Sequence, residues 1–394
     1  MEINQLIKEE SESILEEVIG IRRHIHQNPE LSFQEFNTSK FVSDKLNDWG
    51  IKHQTGIVKT GIVAMIFADS TVDKCIGLRA DLDALPILEA NDAPYKSKNE
   101  GVMHACGHDV HTAMLLGTAK ILFKHRDKLN TNVKLIFQPG EEKLPGGASL
   151  MIKEGVLENP RVDEIYALHV FPELEVGKIG LKEGMYMASC DEIRMTIKGK
   201  GGHGAMPHQN IDPILIASHL IVSLQQVVSR NCPPQTPSVL SFGRIEGLGA
   251  TNVIPDEVKL EGTFRTMNEE WRSKAHERIK ELSQSLVEGM GGSIDIDIQV
   301  GYPFLENDIE LTKKARSKAI TVFGEENVID LPLRLTGEDF AYYSQKIPAT
   351  FIRIGVRNEA KGIIYPVHNK RFDIDEDALK FGMQTLLSQV FIEE

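Results

Sequence analysis

Apolar residues in the first third of the chain alternate between helical and strand spacing. Ile7, Ile14, Leu15, Val18, Ile21 and Ile25 recur at helical spacing and predict an N-terminal amphipathic helix. The segment Val110–Phe123 predicts a second helix. Four apolar runs between and around these helices predict strands: Gly61–Phe67, Cys75–Arg79, Val133–Phe137 and Ile165–Leu168. Strands that alternate with helices favour an α/β fold with a mainly parallel sheet covered on both faces.

The pattern changes near Asp191. Period-two strands and two helices, Ile214–Val228 and Trp271–Met290, follow in the order β-α-β-β-α-β, which is typical of a small ferredoxin-like sheet with helices on one face. We therefore predict an inserted domain at residues 190–302, with a first domain built from residues 1–189 and 303–394. The segments Ile309–Phe323, Thr350–Ile354 and Glu376–Phe391 return the chain to the first domain. The exposed edges of the inserted sheet predict dimerisation through it.

Composition excludes some partners and compartments. The 394 residues carry a net charge of -13, which disfavours nucleic acid, and no apolar run is long enough to span a bilayer. The glutamate-rich N-terminus does not resemble a signal peptide, so the cytoplasm is the expected compartment. The four cysteines are widely separated and do not predict a disulfide framework.

The segment MHACGHDVH, residues 103–111, combines metal-binding residue types. Cys106 and His108 are two apart, with His104, Asp109 and His111 around them. Thiolate, imidazole and carboxylate together suit zinc or another first-row divalent ion. Polar residues that cap the start of a helix are the simpler alternative for this segment alone.

Several predicted strands end in residues of similar chemistry. KLIFQPGEE delivers Glu141 and Glu142 after a strand, EIYALHV ends near His169, and LRADLDALP carries Asp81 and Asp83, whereas His368 lies in a C-terminal loop. Adjacent carboxylates can divide the work, one binding metal and the other accepting a proton from water. Taken singly, each is equally consistent with a solvated loop or a turn. Because parallel strands end at one edge of a sheet, we expect these groups to converge. The candidate ligands are one cysteine, one glutamate and three histidines. These are more ligands than one tetrahedral ion binds, so two ions are predicted.

The inserted domain offers three further candidates. His203 lies in the glycine-rich segment KGKGGHGAMPH, Asn252 in GATNVIPD and Arg265 in EGTFRT. The glycines predict a loop whose backbone approaches a ligand or another chain segment closely. Arginine suits a substrate carboxylate, and a histidine with an amide could stabilise an oxyanion. A flexible turn and a surface arginine are the alternatives.

The ordered motifs RADLDALP, MHACGHDVH, QPGEE, ALHV, GKGGHGAMPH, TNVIPD and GEDF resemble those of the M20 metallopeptidases. The chain is most similar to the amidohydrolase branch, which contains N-acyl-amino-acid deacylases, hippurate hydrolases, auxin-conjugate hydrolases and N-acetyl-diaminopimelate deacetylases. The resemblance extends from RRHIHQNPELSFQE to the terminal helix. It implies a zinc-exopeptidase-like catalytic domain interrupted by a lid, and a homodimer, or a tetramer, assembled through that lid.

The same resemblance implies a role for each candidate. Two divalent ions, Mn²⁺ or Zn²⁺ with Co²⁺ or Ni²⁺ as alternatives, would be held by five ligands: Cys106, His108, Glu142, His169 and His368. Glu141 would be the general base, and Asp83 would orient a ligand. His203 would reach an active site, in many relatives that of the partner subunit, while Asn252 and Arg265 would hold substrate. Cys106 stands where the peptidase branches have a bridging aspartate, which leaves the metal open.

These roles predict hydrolysis of an N-acyl amino acid or a similar small carboxylate by metal-activated water. A dipeptidase or carboxypeptidase using the same chemistry is the alternative. A cysteine hydrolase with Cys106 as nucleophile would leave Glu142 and the distant histidines unexplained. A non-catalytic metal protein would have no use for a free base at Glu141.

Overall fold

A computed structural model describes residues 3–68 and 72–393. The chain forms two compact units. The first contains the chain up to Tyr186, Glu306–Leu333, and residues 339 onward, and the second contains Met187–Leu305 and Arg334–Glu338. The predicted inserted domain, residues 190–302, lies just inside the longer segment of the second unit. The short return segment was not predicted.

The strands in chain order are β1 His53–Ile57, β2 Gly61–Ile66, β3 Cys75–Asp81, β4 Asn132–Gln138, β5 Glu164–Glu175, β6 Ile179–Leu181, β7 Gly184–Met187, β8 Asp191–Lys198, β9 Gly202–His203, β10 Ser238–Glu246, β11 Val253–Ile254, β12 Glu257–Thr266, β13 Ser293–Val300, β14 Leu305–Asn307, β15 Val328–Asp330 and β16 Ala349–Arg357. The α-helices are α1 Ile3–Ser13, α2 Leu15–Gln27, α3 Phe36–Asp48, α4 His108–Lys124, α5 Gly147–Lys153, α6 Pro213–Gln226, α7 Glu269–Gly289, α8 Ile309–Phe323, α9 Ala341–Ser344 and α10 Asp377–Phe391.

The first unit is built on an eight-stranded sheet of order β1-β2-β4-β3-β5-β16-β6-β15. Its central strands β4, β3, β5 and β16 are parallel to one another. Toward the edges, β1 pairs antiparallel with β2, β2 with β4, and β6 with β16. Every residue of β3 and β4 is buried, as expected for strands covered on both faces. The prediction of an α/β fold with a mainly parallel sheet is confirmed. Asp81 and Gln138 are register partners, so β3 and β4 end at the same edge.

Helix α4 is buried on almost every side. It packs against β3 on one side and against α2 and α10 on the other. This explains why its sequence is apolar all round rather than amphipathic. The helix therefore fixes the polar residues at its N-terminus on a rigid, buried support.

The N-terminal segment differs from the prediction. The single predicted helix is two helices, α1 and α2, separated at Ile14, whose φ of -109° and ψ of 5° leave the helical region. Apolar spacing continues across the break because both helices bury a face in the same core. Hydrophobic periodicity reports burial, and it does not detect a one-residue break.

The second unit contains an antiparallel sheet of order β10-β12-β8-β13. Burial alternates along β8, and the buried face packs with α6 and α7 into a separate core. This is the order of a split β-α-β fold. Among residues 3–68 and 72–393, no helix combines the length and apolar character that a membrane span requires.

Candidate metal centre

Cys106 and His108 flank a glycine that the local packing requires. Gly107 has a φ of 87°, and a Cβ atom there would lie 2.5 Å from Val170 Cγ2, in the middle of β5. Any other residue would therefore push the loop away from β5. The result is that both candidate ligands are buried at the start of α4, beside the middle of β5.

Glu141 and Glu142 lie in a turn whose backbone is held by buried carboxylates. The turn follows β4, and Gly140 adopts a φ of 63°. Gly140 N–H donates to Glu35 Oε1 at 2.9 Å. The N–H groups of Glu141 and Glu142 each donate to Asp83, to Oδ1 and Oδ2 respectively, both at 3.0 Å. These bonds fix the direction in which both glutamate side chains leave the turn.

Asp83 also contacts His108. Its Oδ1 lies 3.3 Å from His108 Nδ1, and its Oδ2 accepts a hydrogen bond of 2.6 Å from the Ser32 hydroxyl. A carboxylate on one ring nitrogen orients the imidazole and leaves the other nitrogen for a cation. Burial opposes charge on His108, but Asp81 and Asp83 outweigh it and raise the pKa of His108 to about 10. The two carboxylates therefore make the surroundings of His108 favourable for a cation.

His169 and His368 complete the cluster around the thiol of Cys106. His169 Nε2 lies 3.4 Å and His368 Nε2 3.3 Å from Cys106 Sγ. His368 Nε2 is also 3.2 Å from Glu142 Oε1. His169 Nδ1 lies 2.8 Å from the carbonyl oxygen of Val170, which assigns its proton to Nδ1 and leaves Nε2 as a lone-pair donor. Burial, with the nearby Arg353, holds the pKa of His169 well below its ordinary value and keeps the ring neutral.

The geometry of these five residues fits bound metal. Cys106, His108 and His169 offer ligand atoms within 4.8 Å of one another, and so do Cys106, Glu142 and His368. Cys106 belongs to both groups. One of the ligand atoms, His108 Nε2, is buried and has no hydrogen-bond partner among residues 3–68 and 72–393. Buried polar atoms are rarely left without a partner, so a cation is the natural occupant of this space.

Burial and the carboxylates of Glu142 and Glu141 raise the pKa of the Cys106 thiol well above its ordinary value. A thiolate at this position therefore requires strong positive charge close by. Divalent ions would supply that charge, and metal binding would release the protons of Cys106 and His108.

Other polar residues of the 103–111 segment have partners elsewhere. His111 donates from Nδ1 to Asp81 at 2.6 Å and accepts the Val170 N–H at Nε2 at 2.9 Å, so neither nitrogen is available to a metal. Asp109 pairs with Arg22 and His26, both at 2.8 Å, although its second oxygen is buried and has no partner among the residues that the structure describes. Both nitrogens of the buried His104 lack a hydrogen-bond partner within the described part of the chain.

The structure shows supporting residues that the motifs did not reveal. Ser32, Glu35 and Thr60 are buried, and Thr60 donates to Glu35 at 2.6 Å. Burial and the nearby Asp83 raise the pKa of Glu35 to about 7. The sequence signal was weak, because a single Ser, Glu or Thr in a loop is ordinarily solvated. Only the fold places them under the Glu141 turn.

The second unit brings His203 and Asn252 next to each other. Strand β9 pairs with β11, with His203 opposite Val253, and Gly204 N–H donates to the Asn252 carbonyl at 2.8 Å. Both residues are exposed, whereas Arg265 is half-buried on β12. The glycines around His203 do approach other backbone closely, since a Cβ at Gly201 would lie 2.5 Å from the Ile254 carbonyl oxygen. The roles of these three residues stay predictions.

Comparison with known proteins identifies the family. Residues 77–390 match the model of Peptidase family M20/M25/M40. The chain is 42% identical to the N-acetyl-L-cysteine deacetylase of Bacillus subtilis over 95% of its length and 88% of the relative's. It is 37% identical to thermostable carboxypeptidase 2 of Saccharolobus solfataricus over 97% of its length and 96% of the relative's.

A solved structure supports the same assignment. The crystal structure of a dinuclear metal binding peptidase of the M20 family from Bacillus subtilis is 35% identical, covers 96% of this chain and 98% of its own, and superposes with a TM-score of 0.82. The resemblance seen in the motifs is thereby confirmed. The chain belongs to Peptidase family M20/M25/M40 and is a metal-dependent hydrolase of that family.

Proposed function

We propose that this enzyme is an amidohydrolase that removes the acyl group from an N-acyl amino acid or a similar small carboxylate. One observation carries the proposal. Glu141 lies on the same rigid turn as the candidate ligand Glu142, and a ligand atom of each is within 4.8 Å of the other and of His108. A buried carboxylate beside a metal cluster is suited to accept a proton from water. A purely structural metal site does not need one.

Two divalent ions would be held by five residues: Cys106, His108, Glu142, His169 and His368. Mn²⁺ or Zn²⁺ is favoured over Co²⁺ or Ni²⁺. When bound, such ions supply Lewis acidity that acidifies water and polarises a carbonyl. Glu141 would accept the proton of the attacking water and pass it to the departing amine nitrogen. Asp83 would keep this base in place, since it binds the N–H of both Glu141 and Glu142. Because Asp83 also contacts His108, one carboxylate would align base and ligands.

Residues of the second unit would recognise the substrate. Ala205 N–H donates to His203 Nδ1 at 3.0 Å, so the proton of the neutral ring belongs on Nε2. His203 Nε2–H is therefore a hydrogen-bond donor suited to a developing oxyanion, with the neighbouring Asn252 as a second donor. Arg265 would bind the substrate carboxylate through two parallel hydrogen bonds.

The relatives support two substrate classes. Similarity to the deacetylase from Bacillus subtilis favours an N-acyl amino acid as substrate. Similarity to the carboxypeptidase from Saccharolobus solfataricus favours a peptide with a free carboxylate. The chemistry at the metal centre is the same in both cases. We place the acyl amino acid first because the motif set and Cys106 match the amidohydrolase branch.

A substrate panel separates these classes. Metal-stripped enzyme, reloaded with each candidate metal in turn, is offered acetyl, benzoyl and indoleacetyl amino acids, acetyl-diaminopimelate and simple dipeptides. We expect release from one or more N-acyl amino acids and a loss of all activity without metal. Cleavage of dipeptides alone would establish the peptidase alternative. Full activity after exhaustive chelation, lost on thiol alkylation, would instead make Cys106 a nucleophile.

Replacing the proposed base gives the sharpest single test. Glu141→Gln keeps the shape of the side chain but removes its basicity, so we expect kcat to fall by about 100- to 10,000-fold. Bound metal, measured by elemental analysis, should stay at the wild-type level. Glu164→Gln at the start of β5 is the matched control and should leave kcat unchanged. Near-normal turnover by the Glu141 variant would remove this residue from the mechanism.

We also propose that the enzyme forms a homodimer through the second unit. Strand β10 is at an edge of its sheet, and α6 exposes apolar side chains, with Val222 74% accessible. Single exposed apolar side chains are ordinary, but several on one helix, here Ile214, Leu215 and Val222, mark a candidate contact with another chain. A tetramer built from such dimers and the expected cytoplasmic location stay predictions.

A further inference from the structure

A buried ion network connects both sides of the proposed active site. Arg79, on β3, is inaccessible to solvent along its whole side chain. Its Nη1 donates to Asp81 at 2.7 Å and its Nη2 to Asp339 at 2.6 Å. Its Nε donates to Gln138, the last residue of β4, at 3.0 Å. One guanidinium thus binds two carboxylates and an amide that are far apart in the chain.

The Asp81 end of this network supports the strand that carries His169. Asp81 accepts a hydrogen bond from His111, and His111 in turn accepts the N–H of Val170, the residue after His169. Both bonds are short and both side chains are buried. Asp81 also lies 3.7 Å from His108 Nε2. Its position therefore affects two candidate ligands without Asp81 itself being one of the five.

The Asp339 end supports the turn that carries Glu141. Its carboxylate accepts from the Gln138 amide at 2.8 and 2.9 Å, just before the turn, and from Ala148 N–H at 2.9 Å, just after it. Its own backbone N–H lies 3.3 Å from Glu141 Oε1. Asp339 thus contacts both flanks of the turn and the tip of the proposed base.

We infer that Arg79, Asp81 and Asp339 form a positioning bridge that fixes Glu141 relative to the ligand strand of His169. The inference rests on the proposed function of Glu141. A guanidinium is suited to this task because its planar fork holds two carboxylates at fixed directions, which an ammonium group does not. A base displaced by about 1 Å can lose roughly 100-fold in rate, so such a bridge acts on kcat.

The test is a double-mutant cycle between Asp339 and Glu141. Asp339→Asn keeps the shape but weakens the pairing with Arg79, and we expect kcat to fall roughly 10- to 100-fold while KM changes little. In a Glu141→Gln background the same change should have almost no further effect on kcat, because the group that is positioned has gone. An equal loss in both backgrounds would make the network merely structural and overturn the inference.

Lys134→Met is the matched control for lost stability. Lys134 is a buried cation on the same strand as Gln138, and its Nζ donates to the carbonyls of Val156, Glu158 and Pro160. We expect this variant to be less stable but to keep wild-type kcat. A fall in kcat like that of Asp339→Asn would show that lost stability alone explains the effect.

Amide hydrogen exchange in the metal-free protein gives a readout that is independent of activity. Arg79→Lys keeps the charge but loses the fork, and it should raise exchange at Ala148, Asp339 and Val170, the amides that the bridge holds. Exchange at Cys75 N–H, bonded to Asp163 at the other end of β3, should not change. Unchanged exchange at all three bridge amides would contradict the inference. Normal kcat in Glu141→Gln would instead refute the proposed function and leave these exchange data standing.

Discussion

At the scale of single residues, the backbone of His368 stands out. Its φ is 64°, in the left-handed region that residues with a Cβ avoid, and its N–H donates to the Ala105 carbonyl at 2.7 Å. Such a conformation costs on the order of 1–3 kcal/mol and persists only where the surroundings impose it. Here it directs the imidazole toward Cys106 and Glu142. Strain at a proposed ligand is consistent with a position selected for function rather than for stability.

This strain predicts opposite effects of glycine and alanine at two positions. In metal-free protein, His368→Gly should be more stable than His368→Ala by about 1 kcal/mol, because only glycine adopts positive φ freely. At Lys313, exposed within α8, the order should reverse, with glycine less stable by about 1 kcal/mol. Urea unfolding measures both pairs. Equal stability of the two His368 variants would show that no strain is stored there.

At the scale of elements, one buried carboxylate joins β8 to α7 in the second unit. Asp191 accepts hydrogen bonds from Arg272, from His276 at 2.7 Å and from Gly301 N–H at 3.0 Å. Burial raises the pKa of Asp191, but the bonds from His276 and Arg272 outweigh it and lower the value to about 2. The cluster thus stabilises the packing of the helix on its sheet in a way that depends on pH.

The direction of this pH dependence follows from the depressed pKa. Asp191 stabilises the folded state fully above the unfolded value near 4, and the contribution is lost as pH falls from about 4 toward about 2. Asp191→Asn should cost about 2 kcal/mol at neutral pH, and less near pH 3, in urea unfolding. Asp295→Asn, an exposed ion-pair residue on β13, should cost about 0.5 kcal/mol or less. A constant Asp191 deficit at both pH values would contradict this account.

At the scale of the whole molecule, the proposed dimer depends on which face of the second unit is covered. Val222, on α6, belongs to the proposed contact surface. Val300 ends the edge strand on the opposite side of the sheet, β13, and is 60% exposed. We expect Val222→Glu to give monomers and Val300→Glu to leave the dimer intact, because a buried unpaired charge opposes association. Light scattering after size-exclusion chromatography measures both. A monomeric wild type, or a dimer that survives Val222→Glu, would refute the proposed interface.

Much of the site chemistry could be predicted from the sequence. Cys106 and His108 are two positions apart at the start of one helix, and Glu141 follows a strand. Short sequence segments are therefore enough to predict which element positions each of them. Helices such as α8 and strands such as β3 were found because hydrophobic spacing reports burial along one element. Local pattern fails where burial continues through a backbone break, as at Ile14 between α1 and α2.

Sequence alone therefore determined most of the element types and the family of this protein, and it predicted the ligand chemistry. The tertiary structure decided which side chains meet. The contact of Asp83 with both His108 and the Glu141 turn, the bridge through Arg79 to Asp339, and the left-handed backbone of His368 all depend on long-range packing. Nothing in a short segment encodes such contacts, because each partner alone would be satisfied by water. Only burial by the fold forces these polar groups to find one another.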